Sequence, residues 1–198
     1  MNRVFPLGAL GVAVAVAAGA PAFAQPGAAC VYLVEPAQTL VRFSVSQFGL
    51  SDFSGAATGA TGWLKFDPAH PSHAKLDVSV KTATVSTPDE NITGQLRGAD
   101  WLDAAKYPTA RFVSTKVVPT GADRATVQGK LTLRGVTRPV VIRAHFAGAG
   151  VNRGARDDAV RFDGEGAFER AEFGMKAFAP MIGDMVRLTI HGAFESRC

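Results

Sequence analysis

The chain has 198 residues, 47% of them hydrophobic, and a formal net charge of only +4 at pH 7. This length suffices for one domain with a real hydrophobic core. The basic residues are scattered and form no run interleaved with aromatic residues, which argues against nucleic acid binding.

The first residues are typical of a secretory signal peptide. Arg3 is the only early charge, residues 4–18 are almost wholly apolar, and the sequence AFA at residues 22–24 has the small-x-small pattern that signal peptidase cleaves. The apolar run is too short to span a bilayer as a helix. We therefore predict a signal peptide at residues 1–24 and a single secreted domain at residues 25–198.

The two cysteines, Cys30 and Cys198, lie at opposite ends of the predicted domain. An even number of cysteines in a secreted protein is typical of disulfide bonding. If the sheet closes on itself, its first and last strands are neighbours and the two thiols meet at the seam. We predict a Cys30–Cys198 disulfide, with two unpaired thiols at the termini as the alternative.

Three segments in the first half of the chain are predicted strands: Leu40–Phe48, Gly55–Phe66 and Lys75–Ser86. In the first and third, apolar and polar residues alternate, so one face is buried. The inward residues are Val41, Phe43, Val45, Leu76, Val78 and Val80. The middle segment is rich in glycine, which is typical of a bent strand.

The stretch TPDENITGQLRGADWLDAAKYP, residues 87–108, breaks this alternation and predicts a helix. Thr87 is the expected N-cap, and Glu90 lies three residues later, as a capping box requires. Ile92 and Leu96 lie on one face, and Gly98 is the expected end. A second short turn, capped by Asp100, is expected before the chain returns to strands.

Five further strands are predicted at Ala110–Val118, Ala125–Arg134, Thr137–Ala147, Val160–Phe168 and Met185–Glu195, with a polar loop at Gly148–Asp158. The segment Glu169–Pro180 has no clear pattern. The short connections favour an antiparallel meander, and closure would remove its exposed edges. The predicted fold class is therefore all-β, an eight-stranded antiparallel barrel with one helical insertion.

The sequence carries no catalytic motif such as Gly-x-Ser-x-Gly. His70 and His73 share a turn with two prolines, but no third ligand lies nearby, and a tetrahedral metal site needs three or four. His145 and His191 fall in the outward register of predicted strands. We predict no enzymatic activity, no catalytic residue and no metal site.

The interior could be filled or hollow. The chain contains 13 phenylalanines, most of them in or beside predicted strands. An eight-stranded barrel can be packed with side chains or can hold one small ligand. The sequence leaves both interpretations open.

Several segments resemble the YceI-like family. LRGADWLDAAKYP is similar to its helical segment, and GKLTLRGVTRPV to its Gly-x-Leu-Thr-x-x-Gly-Val-Thr hairpin. VRFSVSQFGLSDFSG, FERAEFGM and GDMVRLTI are similar to its first long strand, its late Arg-x-Asp-Phe-Gly segment and its final strand. The resemblance implies an extended lipocalin-like barrel in the periplasm that binds a polyisoprenoid, an isoprenoid quinone or a fatty-acid-like lipid, with no other cofactor.

The first functional hypothesis is accordingly a periplasmic lipid carrier. Its ligand tail would contact Phe43, Val45, Leu76, Val78, Leu131, Ile142, Phe162 and Leu188. The mouth would be closed by Trp101, Phe173, Met175 and Phe178, and Arg97 would meet a polar head group. The alternative is a non-catalytic interaction module with a filled core that docks a membrane redox protein. A homodimer is left open.

Overall fold

The computed structural model describes residues 30–151 and 158–197. The proposed signal peptide and Cys198 lie outside these residues, so the cleavage site and the disulfide stay predictions. The strands are β1 Cys30–Val34, β2 Leu40–Gln47, β3 Ser51–Ala57, β4 Thr61–Phe66, β5 Lys75–Lys81, β6 Thr109–Pro119, β7 Arg124–Leu133, β8 Val136–Val151, β9 Asp158–Glu169 and β10 Ile182–Ser196. The α-helix is α1, Glu90–Arg97. No helix in the described part is long and apolar enough to cross a membrane.

The sheet closes into a ring because β1 pairs with β4 on one side and with β10 on the other. Going round the ring, the order is β1, β4, β5, β6, β7, β8, β9 and β10, and every pairing is antiparallel. The predicted eight-stranded antiparallel barrel with one helix is therefore confirmed.

The hairpin of β2 and β3 extends the barrel wall beyond this ring at one end. One end of β10 pairs with β1, as in Phe194↔Val34, and the rest pairs with β2, as in Leu188↔Phe43. β2 pairs in turn with β3. The predicted bent strand Gly55–Phe66 therefore corresponds to two strands, because the chain leaves the ladder between β3 and β4.

Strand β1 was missed in the sequence because it lacks alternation. Val31 and Leu33 point outward and are 39% and 40% exposed, while Tyr32 and Val34 are buried. A strand that is apolar on both faces has no period-2 signal.

Helix α1 covers the edge of β3 where that strand has no neighbouring strand. β5 ends at Lys81, earlier than predicted, and the chain enters a 3₁₀ turn. The edge of β3 is then held by one bridge, in which Ala56 and Ser86 exchange backbone hydrogen bonds of 2.9 and 2.8 Å. Ile92 and Leu96 turn toward Ala57 beneath the helix, on the shared face that was predicted.

The N-cap of α1 is Asp89, and the prediction of Thr87 was wrong. The Asp89 carboxylate accepts hydrogen bonds from the backbone N–H groups of Asn91 (2.8 Å) and Ile92 (3.3 Å). Its charge also suits the positive end of the helix dipole, which a threonine hydroxyl cannot exploit. The Thr87 hydroxyl instead donates to the Asp89 carbonyl. Gly98 ends the helix as predicted.

The predicted loop Gly148–Asp158 is shorter than expected, because β8 continues to Val151 and β9 begins at Asp158. A register shift between Phe146 and Gly148 absorbs one residue, and Gly148 has φ +129°. A β-bulge of this kind lets a strand continue past a glycine that the sequence pattern reads as a break.

One ion pair joins β5 and β6 on the outer surface. Arg111 Nε donates to Asp77 Oδ1 at 2.8 Å, and a second hydrogen bond makes the contact bidentate. This hydrogen bonding to Arg111 lowers the pKa of the Asp77 carboxyl. The stability that the pair contributes is present above the unfolded carboxyl pKa of about 3.9, and is lost as the pH falls through the lower folded value.

We predict that Asp77→Asn makes the protein less sensitive to acid. The wild type should lose more stability than the variant when the pH falls from about 6 to about 3, because only the wild type must protonate this carboxylate. Urea unfolding midpoints across that range measure the difference. Arg111→Gln should behave as Asp77→Asn does, and an unchanged acid dependence in both variants would contradict the assignment.

Candidate functional site

The barrel encloses a cavity of about 250 Å³ at the end covered by α1. Its wall is almost entirely apolar, and the charged residues on it are Lys81 and Arg170. Of the residues predicted to contact a ligand, nine lie on this wall: Phe43, Val45, Leu76, Val78, Trp101, Leu131, Ile142, Met175 and Leu188.

Two further cavities adjoin the first. One of about 290 Å³ continues toward the opposite end of the barrel, shares Leu76, Ile142 and Ile190 with the first, and includes the predicted Phe162. Another of about 290 Å³ lies outside the first, shares Leu96 and Trp101 with it, and includes the predicted Phe178. We call this outer cavity the mouth. The interior is therefore hollow rather than filled. The cavities are together of the size of known ligand pockets, which measure roughly 300–1,000 Å³.

Two glycines keep aromatic rings against the wall and out of the space inside. Gly55 lies directly opposite Phe43, and a Cβ added to it would stand 2.4 Å from the Phe43 ring. A Cβ on Gly129 would stand 2.2 Å from the ring of Phe112. Any larger residue would push these rings away, and both line the cavity.

Arg170 is a buried charged residue on the wall of this cavity, with only 2% of its surface exposed. Its Nε, Nη1 and Nη2 donate to the carbonyl oxygens of Gly183 (2.9 Å), Met175 (2.8 Å) and Ile182 (2.9 Å). Burial lowers the pKa of the Arg170 guanidinium, and the carboxylate of Asp184 opposes that shift. The side chain therefore fastens the segment after β9 to the start of β10.

Trp101 lies between the cavity and the mouth. The Arg170 guanidinium is 4.8 Å from its ring centroid, a cation–π geometry. The ring of Phe178 stacks on it with centroids 6.4 Å apart and an interplanar angle of 21°. Arg170 thus holds Trp101 in place from the protein side, while Phe178, 54% exposed, contacts solvent.

Two of the predicted ligand residues lie elsewhere. Phe173 is 1% exposed and packs edge-on against Phe168, in a cluster with Leu133 and Met175. Arg97 Nε donates to the Val85 carbonyl at 2.9 Å, so it fastens α1 to the segment after β5. Neither residue belongs to the walls of the three cavities. Their roles in ligand binding, like those of the other eleven residues, stay predictions.

Sequence reasoning missed Arg170, although a signal was present. The residue follows the alternating strand β9 and precedes a short segment that contains Phe173 and Met175. A charged residue between two apolar segments is expected to be exposed or to have a specific partner. Two of the partners of Arg170, the backbone carbonyls of Ile182 and Gly183, lie more than ten residues away along the chain. A sequence pattern does not show such contacts.

The histidines and acidic residues form surface pairs. His145 Nε2 lies 2.9 Å from Asp123 Oδ2, and His191 Nδ1 lies 2.8 Å from Asp163 Oδ1. Both imidazoles are about half exposed, as predicted for outward strand positions. Within residues 30–151 and 158–197, no group of three or more His, Cys, Asp or Glu residues is arranged to hold a metal ion.

A profile of the YceI-like domain matches residues 32–194. A UPF0312 protein of Pseudomonas savastanoi pv. phaseolicola is 38% identical over 146 residues, which are 74% of this chain and 76% of that protein. A UPF0312 protein of Vibrio cholerae is 37% identical over 128 residues, 65% of this chain and 68% of that protein.

Solved structures have the same architecture. The crystal structure of Burkholderia cenocepacia BcnA superposes with a TM-score of 0.73 at 27% identity, covering 81% of this chain and 98% of that one. The YceI protein of Campylobacter jejuni gives 0.66 at 25% identity, covering 74% and 86%. A polyisoprenoid binding domain from Saccharophagus degradans gives 0.61 at 15% identity, covering 83% and 98%, which shows the fold alone.

We predict that Gly129→Ala destabilises the protein by about 1–3 kcal/mol, because the added methyl group overlaps the Phe112 ring and also the Val113 carbonyl oxygen. Gly94→Ala is the matched control. A Cβ added to Gly94 would have no heavy atom within 4 Å, and alanine in a helix is more stable than glycine by up to about 1 kcal/mol. Urea unfolding measures both. Phe112→Leu should restore part of the loss in Gly129→Ala, and no restoration would contradict the overlap.

We predict that Arg170→Met lowers the free energy of unfolding by about 3 kcal/mol, because one buried and two partly buried carbonyl oxygens lose their donors. Arg138→Met is the control, since Arg138 is exposed and its guanidinium donates to the neighbouring Thr137 carbonyl. In a Trp63→Phe background, Trp101 fluorescence should change in the first variant and not in the second. Equal stability of the two variants would show that the Arg170 contacts contribute little.

Proposed function

This chain belongs to the YceI-like family, and from that premise and the hollow interior we propose that it is a periplasmic carrier for one long apolar ligand. The barrel takes up the apolar chain of the ligand, and the mouth beside Trp101 and Phe178 is its entrance. The proposed reaction class is reversible binding without covalent chemistry.

The observation that carries the proposal is the apolar wall of the cavities, placed in series along the barrel. A wall of this kind favours a ligand whose length is mostly hydrocarbon, such as a polyisoprenoid, an isoprenoid quinone or a fatty-acid derivative. Burial of apolar surface contributes about 25 cal/mol per Å², from which the cost of ordering a flexible chain is subtracted. The cavity is already formed in the folded barrel, which keeps the protein's own ordering cost small.

Comparison supports the choice of ligand class. The Saccharophagus degradans domain is described as polyisoprenoid binding, and it has this fold. The predicted signal peptide supports the periplasm as the compartment. The closure of the barrel supports the Cys30–Cys198 disulfide, because the pair Tyr32↔Ser196 lies two residues from each cysteine in the sequence.

The cavities weigh against the alternative of a filled interaction module. That interpretation depends on side chains occupying the interior, as they do in a packed core. The two cavities inside the barrel lie where such side chains would be. A membrane redox partner is therefore no part of the proposed function.

The test is to purify the mature protein from the periplasm, extract it with organic solvent and examine both protein and extract by mass spectrometry. We expect a bound lipid, or uptake of added quinone or prenyl lipid by lipid-free protein. Leu188→Gln should reduce uptake about tenfold or more, because it places an amide on the apolar wall. Thr189→Gln, on the exposed face of the same strand, should bind as the wild type does. No extractable lipid together with no uptake would refute the proposal.

A further inference from the structure

Four exposed apolar side chains lie at the mouth or, in the case of Leu50, two residues along the chain from one that does. Phe48 and Leu50 belong to the turn between β2 and β3 and are 61% and 91% exposed. Phe178 and Met181 precede β10 and are 54% and 46% exposed. We call these four residues the mouth patch. Several other exposed large hydrophobic residues lie on outer strand faces away from the mouth, among them Leu33 on β1 and Val141 on β8.

The two halves of the mouth patch are held together by the backbone. Phe48 N donates to the Met181 carbonyl at 2.7 Å, and Ile182 N donates to the Phe178 carbonyl at 2.8 Å. Gln47 pairs with Ile182 in the same region. Phe48, Phe178 and Met181 line the mouth itself. Phe48, Phe178 and Met181 therefore form one surface that leads into the barrel, and Leu50 follows in the same turn as Phe48.

The backbone gives a second, independent observation. Phe48 has φ 53° and Phe178 has φ 57°, so both lie in the left-handed region. Bulky residues are rare there, whereas glycine or asparagine would be relaxed. Strain of this kind is concentrated at functional sites. At both positions the fold keeps an exposed phenyl ring where a small or polar residue would suit the backbone better.

The charges beside the patch decide which occupant fits. The nearest exposed charged residues along the chain are Asp52, Lys176 and Asp184, which are of mixed sign. These three charges sum to −1, which disfavours an anionic surface and gives no strong attraction to a cationic one, so the rim suits a zwitterionic phospholipid surface. Leu50 stands at the tip of a turn, so it can enter a fluid apolar layer but forms no groove for a peptide.

We propose that the mouth patch inserts into a phospholipid bilayer, so that the barrel opening faces the apolar layer directly. This inference rests on the proposed function for its purpose, because a long apolar ligand leaves a membrane more readily if it never enters water. The contact is shallow and apolar, of the kind formed by interfacial side chains. Leu50 and Phe178 enter deepest, and the ligand passes beside Trp101.

The experiment is flotation of the mature protein with vesicles of phosphatidylcholine alone. The wild type should bind these neutral vesicles equally at low and high salt. Leu50→Ser and Phe178→Ser should each weaken binding about tenfold, the effect of removing one large apolar contact. Leu33→Ser and Val141→Ser are the matched controls and should bind as the wild type does. Circular dichroism confirms that each variant is folded.

The variant Phe48→Gly separates membrane insertion from a purely structural role of this residue. Phe48→Gly should weaken vesicle binding without lowering the urea unfolding midpoint, since glycine accepts the left-handed backbone. A purely structural phenylalanine would lower the midpoint instead and leave vesicle binding unchanged, which would overturn the proposal.

Three other results would overturn membrane insertion. Binding that requires anionic lipid and disappears in high salt would replace insertion by electrostatic adsorption and overturn the proposal. A wild type that does not bind vesicles would also overturn the proposal. So would dimerisation through the mouth patch, detected by sedimentation analysis. Lipid uptake from detergent micelles tests the carrier function separately. Normal uptake without vesicle binding refutes only the docking, and vesicle binding without uptake refutes only the carrier.

Discussion

The architecture depends on the pairing of β10 with three other strands. It pairs with β9 over most of its length, with β1 at its C-terminal end and with β2 over its N-terminal part. Its pairing with β1 is the contact that closes the ring. Because β10 is longer than β1, the remainder of its edge needs a further partner, and the β2–β3 hairpin supplies it. The pairing of β1 with β10 therefore closes the barrel at one end. At the other end the β2–β3 hairpin extends the wall, and α1 covers the remaining edge of β3.

The hollow interior follows from which residues lie beside one another on this closed sheet. Phenylalanines are large enough to fill an eight-stranded barrel, yet Phe43 and Phe112 lie against glycines on neighbouring strands. Each glycine removes the side chain that would otherwise hold the ring farther inward. Near the opening, Arg170 satisfies backbone carbonyls that would be costly to bury alone, and it supports Trp101 without filling the space beneath. The apolar space and its polar support are thus separate features.

Local periodicity was enough to predict most strands, the helix and its end at Gly98, because those signals repeat over a few residues. It failed at β1, where both faces are apolar, and at the N-cap, where Thr87 and Asp89 are both good caps and only the structure shows which one bonds the helix. The choice between a filled and a hollow barrel was beyond sequence reasoning. It depends on neighbours across strands, such as Phe43 and Gly55, whose register is set by closure of the whole sheet.

The bridge between Ala56 and Ser86 makes the wall uneven around its circumference. Along β8 and β9, nine residue pairs would have to separate for the wall to open. Beside α1, the backbone contact is one bridge, helped by the Thr84 hydroxyl on the Thr58 carbonyl. Local unfolding follows the path of lowest free energy, so fluctuations of this barrel should concentrate at that seam. A chain wider than the resting mouth could thus pass by a sideways widening of the wall, while the β8–β9 ladder stays intact.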